Sequence, residues 1–188
     1  MEIDETCLAL VRVRDPEAWR RLYETTHRGL LVYLHAILQD WALADDALQE
    51  TFLQAWRSIH RFRSDAPFPP WIHRVARNVA LQIRRASVRR HRHEHGRPEE
   101  LFEPGDADAE RREEYRQVEA ALARLCPNER EILTLRVLSG LSPPEVAGIL
   151  GIPTGTVLSR THTALGRVRE SLRCRDALAP SGKKPKIP

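Results

Sequence analysis

Two sets of side chains in this 188-residue chain have the types and spacing to hold a polyanion. Arg74, Arg77, Arg84 and Arg85 fall on one stripe of a helix at 100° per residue, opposite an apolar arc of Ile72, Val75, Ala76, Val79 and Ile83, with Asn78 at the edge. Guanidinium groups in such a row neutralise phosphates. Further along, Thr156, Ser159, His162 and Thr163 share the outer face of a second helix, flanked by Leu158 and Arg160. Hydroxyl and imidazole groups at that spacing can exchange hydrogen bonds with base edges. The chemistry is non-covalent recognition. No paired carboxylates, nucleophile and base, or phosphate-cradling glycine loop stands out, so an enzyme is not expected.

Charge along the chain supports the same reading. Residues 1–56 are net −5, residues 57–97 are net +9 (11 Arg against 2 acids), residues 98–119 are net −6 and residues 120–175 are net +4. A block with almost no interspersed acid is an electrostatic footprint for a polyanion. Three cysteines, Cys7, Cys126 and Cys174, are far apart and show no zinc-ligand spacing, which reads as reduced thiols in a cytoplasmic protein. His91, His93 and His95 alternate every second residue and do not align on one helix face, so a solvated basic segment is expected there and no metal or cofactor. No apolar run is long enough for a transmembrane helix, and the acidic N-terminus lacks a signal-peptide layout.

The elements that must position these side chains are all helical. Low aromatic content with abundant Arg, Leu and Ala favours helices over sheets. Residues 5–38 read as helix broken at Asp15-Pro16, where Asp15 caps and Pro16 takes the first helical position. Trp19, Leu22, Tyr23, Leu30, Leu31, Leu34, Ile37 and Leu38 supply its core face. A helix over 41–60 turns Leu48, Phe52, Ala55, Trp56 and Ile59 inward and Asp46, Gln49, Glu50, Leu53 and Arg57 outward. Residues 61–70 are expected to be a loop. Its Phe62 and Phe68 either staple it to the core or contact a ligand such as an unstacked base. The basic helix over 71–90 follows. Residues 96–112, rich in Pro, Gly and acids, read as a flexible linker; helices over 113–125 and 127–138 come next, and the tail from 176 has the composition of disorder.

The segment LSPPEVAGILGIPTGTVLSRTHTALGRVR, 141–169, carries the strongest local signals. Ser142 and Glu145 form a capping box, and Pro143 sits where a missing N–H costs nothing. Gly151 is the left-handed stop, Ile152-Pro153 the turn and Thr154 a cap for the next helix, which turns Val157, Thr161, Ala164, Leu165 and Val168 inward. Two amphipathic helices of an ordinary bundle would look similar, but would more often carry Lys and Glu on the outer face. A helix-turn-helix that lays its second helix in the major groove fits better.

Three blocks in order resemble the extracytoplasmic-function (ECF) group of bacterial RNA polymerase sigma factors of the sigma-70 family. DDALQETFLQAWRSIHRF (45–62) resembles the helix that binds core polymerase, WIHRVARNVALQIRR (71–85) the promoter-melting helix, and 141–169 the terminal helix-turn-helix. The resemblance spans about 10–175. It implies two small helical domains, a region 2 domain over 1–95 and a region 4 domain over 113–175, joined by the acidic linker and followed by a tail over 176–188. It also implies an alternative sigma factor that carries core RNA polymerase to promoters. The partners implied are the clamp of the largest polymerase subunit, the flap of the second subunit for the C-terminal domain, promoter DNA and an anti-sigma factor.

By the resemblance, Asp46, Gln49, Glu50, Leu53 and Arg57 would meet the clamp. Phe62, Arg63, Asp65, Trp71, Arg74, Val75, Arg77 and Asn78 would hold the minus-ten element. Thr156, Leu158, Ser159, Arg160, His162 and Thr163 would read the minus-thirty-five element. The chain departs from the family pattern at Leu158 and Thr163, where basic residues are usual, and at Pro69-Pro70, where a polar pair is common. The first departure implies weak or unusual reading of the upstream element. Two other classes compete: a simple helix-turn-helix regulator, and a sigma mimic that sequesters an inhibitor without binding promoters.

Overall fold

The computed structural model describes residues 4–62, 66–90, 120 and 122–176. Each N-terminal helix starts on an aspartate whose carboxylate takes a backbone N–H that the first turn leaves unpaired. Asp4 accepts from Cys7 N at 2.7 Å and opens α1 (Glu5–Arg12). Asp15 accepts from Ala18 N at 2.9 Å and opens α2 (Pro16–Leu38), with Pro16 in the first turn as expected. Asp40 accepts from Leu43 N at 2.8 Å and opens α3 (Trp41–Ser58). α2 ends on Gln39 in the left-handed conformation, φ 58°.

The end of α3 and the start of the next helix differ from the expectation. A 3-10 turn (Ile59–Arg61) follows α3, and α4 (Phe68–Arg90) begins three residues before the expected 71. The reason is local. Pro69 and Pro70 fall in the first turn, where the amides they lack have no partner to lose. Two prolines that read as loop are therefore a helix start.

α2, α3 and α4 form a three-helix unit. Leu22, Leu30, Leu34 and Ile37 of α2 pack on Ala44, Ala47, Leu48 and Ala55 of α3 and on Ile72, Ala76, Val79 and Ala80 of α4. The small alanines let the helix axes approach closely. α1 closes one end, where Trp19 Nε1 donates to Val11 O at 2.9 Å.

In the second half, 120 and 122–125 of the helix expected over 113–125 lie within the described residues; 120, 122 and 123 are helical, and the chain turns at 124 and 125. The linker over 96–112, His91, His93 and His95, and the tail beyond 176 lie outside them. α5 (Pro127–Leu133) passes into a π turn (Thr134–Leu138), so the single helix expected over 127–138 is broken in pitch. Ser139 N donates to Thr134 O and Leu141 N to Leu135 O, and Gly140 takes φ 68°. α6 (Pro143–Leu150) and α7 (Thr154–Asp176) follow, separated by Gly151 at φ 69°. Arg130 is buried and donates to the carbonyls of Leu122, Ala123 and Leu125, tying down the end of the preceding helix. Among the described residues every regular element is helical.

The two helical units meet. Ile132, Leu135, Leu141, Val146, Ile149 and Val157 join the same apolar core as α2 and α4. α2 packs against α5 and the π turn, and α4 packs against α6.

Candidate nucleic-acid interface

Three surfaces carry the residues singled out in the sequence. The first is the outer face of α3. Asp46, Gln49, Leu53 and Arg57 are exposed, and Leu53 keeps 50% of its surface in solvent. Glu50 is half-buried and its Oε1 accepts from Gln54 Nε2 at 3.0 Å. The face is level with a largely apolar groove of about 470 Å³ lined by Trp19, Arg20, Tyr23, Gln49, Phe52, Leu53 and Trp56. Tyr23 and Phe52 lie 4.9 Å apart between ring centroids, as do Trp19 and Trp56. The sequence places Tyr23, Phe52 and Trp56 in the core; here Tyr23 is 44% exposed and the other two are half-buried. Rings on two adjacent helices are too large to be covered by that helix pair alone. Aromatics facing each other across α2 and α3 were the available signal for this groove.

The second surface is the start of α4. Phe62 is buried, with 2% of its surface exposed, against Phe68 and Trp71 at centroid distances of 5.5 and 5.3 Å. In this arrangement the two phenylalanines staple the chain before α4 to the core. Trp71, Val75 and Arg77 are half-buried, while Arg74 and Asn78 are exposed. Arg63 and Asp65 lie outside the described residues. Along the stripe, Arg74 donates to Gly148 O at 2.8 Å and Arg77 Nε donates to Glu131 Oε1 at 2.8 Å. The same Glu131 oxygen accepts from Tyr33 OH at 3.0 Å. Burial, then the Glu131 charge, push the Tyr33 phenol well above its ordinary pKa, so it stays a donor.

His73, between these arginines and the core, has Nδ1 at 2.8 Å from Pro69 O. A carbonyl only accepts, so Nδ1 carries the proton and Nε2 accepts from the Ser139 hydroxyl at 3.0 Å. Burial lowers the His73 pKa, consistent with a neutral ring.

The third surface is the exposed side of α7. Val157 and Ala164 are fully buried and anchor the helix. Leu158, Ser159, His162 and Thr163 then point to solvent, while Thr156 and Arg160 are half-buried. Ser159 Oγ donates to Thr156 O and Thr163 Oγ1 to Ser159 O, both at 3.1 Å. At its base, Ser142 N donates to Glu145 Oε2 at 2.7 Å, the return half of the expected capping box. Arg167 pairs with Glu129 at 2.6 Å and ties α7 to α5.

A basic helix with an aromatic-stapled start, together with a helix-turn-helix whose outer face is bare, defines a helical protein of the nucleic-acid-binding class. Comparison with known proteins gives the family. The sigma-70 region 2 model matches residues 22–92, and the sigma-70 region 4 model matches residues 115–168. The chain is 38% identical over 138 residues to the probable RNA polymerase sigma-C factor of Mycobacterium bovis, covering 73% of this chain and 72% of the relative. It is 32% identical over 170 residues to the ECF RNA polymerase sigma factor SigM of Mycobacterium tuberculosis, covering 90% and 84%. The chain belongs to the ECF group of RNA polymerase sigma factors in the sigma-70 family. Proteins of this family are DNA-binding transcription initiation factors rather than enzymes, and they bind core RNA polymerase and promoter DNA.

Two solved structures share the fold. CnrH in complex with the cytosolic domain of CnrY superposes with a TM-score of 0.68 at 23% identity over 92% of this chain and 99% of that one. The sigma factor RpoE in complex with the anti-sigma factor NepR from Bartonella quintana gives 0.68 at 21% identity over 82% and 96%. No described helix is long and apolar enough to cross a membrane.

Proposed function

We propose that this chain is an alternative sigma factor that directs core RNA polymerase in the cytoplasm to its own set of promoters, through the three surfaces above. Asp46, Gln49, Glu50, Leu53 and Arg57 dock on the polymerase clamp, where the acidic part of the face suits a basic partner helix. Arg63, Asp65, Trp71, Arg74, Val75, Arg77 and Asn78 hold the minus-ten strand once it leaves the duplex, with Phe62 setting the position of the loop before α4. The arginines neutralise phosphates, and the apolar and amide groups receive an unstacked base. Thr156, Leu158, Ser159, Arg160, His162 and Thr163 read the minus-thirty-five element in the major groove. One of the two structures sharing the fold is of a sigma factor in complex with an anti-sigma factor, which supports an anti-sigma factor as a further partner.

The observation that carries this reading is the bare α3 face and the bare α7 face in one chain with matches to both sigma regions. The test is transcription from genomic fragments by core polymerase with and without the protein. Discrete transcripts that need both components are expected. A sigma mimic would bind a partner and start no transcripts; a simple regulator would bind duplex DNA without core polymerase.

A further inference from the structure

The outer face of α7 is short of the groups that read guanine. At 3.6 residues per turn, Leu158, His162, Ser159 and Thr163 fall within one arc of about 140°, and all four are exposed. Arg160 lies off this arc and is half-buried. Guanine shows the major groove two acceptors, O6 and N7, and is commonly read by an arginine or lysine. Between Gly155 and Gly166 the arc carries neither.

Its hydroxyl protons are also committed. Ser159 Oγ donates to Thr156 O and Thr163 Oγ1 to Ser159 O, both at 3.1 Å. A hydroxyl has one proton to give. Each of these therefore keeps only lone pairs for a ligand, and lone pairs repel O6 and N7. The other groups left to meet a base are apolar: the Leu158 isobutyl group, 53% exposed, and the Thr163 methyl. Thymine carries an apolar group in the major groove, its 5-methyl, and its partner adenine shows an N6 amino donor that the lone pairs can accept.

A single exposed leucine is ordinary; the glycines beside it add a second observation. Gly155 and Gly166 lie near the middle of the arc, about three turns apart. Both are exposed, and a Cβ added at either meets nothing within 4 Å, so packing within the fold does not require them. Glycine weakens a helix interior, and close approach of the backbone to a ligand is one use that offsets this. A methyl contact needs that approach, because it forms only within about 4 Å.

We propose that α7 reads its promoter element through thymine 5-methyl groups, with Leu158 and Thr163 as the residues that touch them. A·T pairs then stand opposite these two side chains, and the backbone at Gly155 and Gly166 lets the helix sit deep in the groove. This rests on the reading of α7 given under the proposed function.

The test uses holoenzyme assembled from core polymerase and the full chain. Duplex fragments are selected by it from a random pool, and the upstream motif they share is remade with deoxyuridine at each thymine in turn. That change removes the 5-methyl and leaves the pairing edge as it was. Binding about fourfold weaker per methyl removed is expected at the thymines that Leu158 and Thr163 meet. The same comparison is made with Leu158→Ala combined with Thr163→Ser, which keeps the hydroxyl and removes the methyl. Both side chains are exposed, so the core is undisturbed. L158A/T163S holoenzyme should bind the thymine and deoxyuridine fragments equally. A shared upstream motif that is indifferent to deoxyuridine overturns the proposal and leaves the reading of α7 intact. A deoxyuridine penalty that persists in L158A/T163S overturns it as well, since other groups then touch the methyls. If the selected fragments share no upstream motif, the reading of α7 falls and the proposal falls with it.

Discussion

Leu158 and Thr163 give α7 an apolar and a hydroxyl group where a strongly charged reading helix would carry guanidinium forks. Both side chains are exposed and free of the core, so replacing them alters the interface and not the fold. The L158R/T163R double variant should bind generic duplex DNA about tenfold more tightly at low salt. The slope of log K against log salt should steepen by roughly 1.8, two added phosphate contacts. A salt titration that leaves both quantities unchanged would show that α7 does not lie on DNA. On the outer face of α3, Leu53→Asp places a charge on an exposed apolar centre and should cost about 2 kcal/mol of core polymerase binding, about thirtyfold in Kd. Thermal unfolding of that variant should stay near the parent value.

His35 makes a prediction of stability. It stacks on Trp41 at 3.7 Å, and burial, then the Arg130 charge, lower its pKa from 6.5 to about 4 against the opposing pull of Asp40. The folded state therefore prefers the neutral ring. Its contribution is complete above pH 6.5 and is lost as pH falls toward about 4. Discounted for the solvent that still reaches the ring, the loss is roughly 1 kcal/mol, about 3 °C in Tm. His35→Phe keeps the stack and should lack this share of the acid-side decline in a melting series; an identical decline in both proteins would remove His35 from the account.

At the scale of elements, what could be read in the sequence was what neighbouring residues decide. Asp15 with Pro16, Ser142 with Glu145, and Gly151 are signals within one turn, and the helices begin and end where they say. Gly151 at φ 69° is the sharpest of them. Gly151→Ala puts a Cβ into the left-handed region at a cost of about 1 kcal/mol and should lower Tm by about 3 °C. It should also weaken duplex binding, because the turn aims α7. The start of α4 misled the reading for a related reason: two prolines signal a loop or a first turn equally well, and burial of Phe68 decides between them. The π turn had no local signal. It depends on how Leu135 and Leu141 seat in a core supplied largely by other helices.

At the scale of the molecule, the order of the three blocks was legible and their mutual packing was not. Tyr33 and Glu131 are 98 residues apart in sequence, and Arg77 and Glu131 are 54 apart. No periodicity connects such pairs. The aromatic groove between α2 and α3 escaped for the same reason, since each helix read alone assigns its rings to the core. The proposed function gives the assembled chain one face for polymerase and two for DNA, acting together to open a promoter. Permanganate footprinting of promoter fragments measures this most directly. Core polymerase with this protein should expose reactive thymines in the minus-ten region that neither component exposes alone, and Leu53→Asp should abolish them. A stable promoter complex of core polymerase and this protein in which the minus-ten thymines remain unreactive would contradict the account.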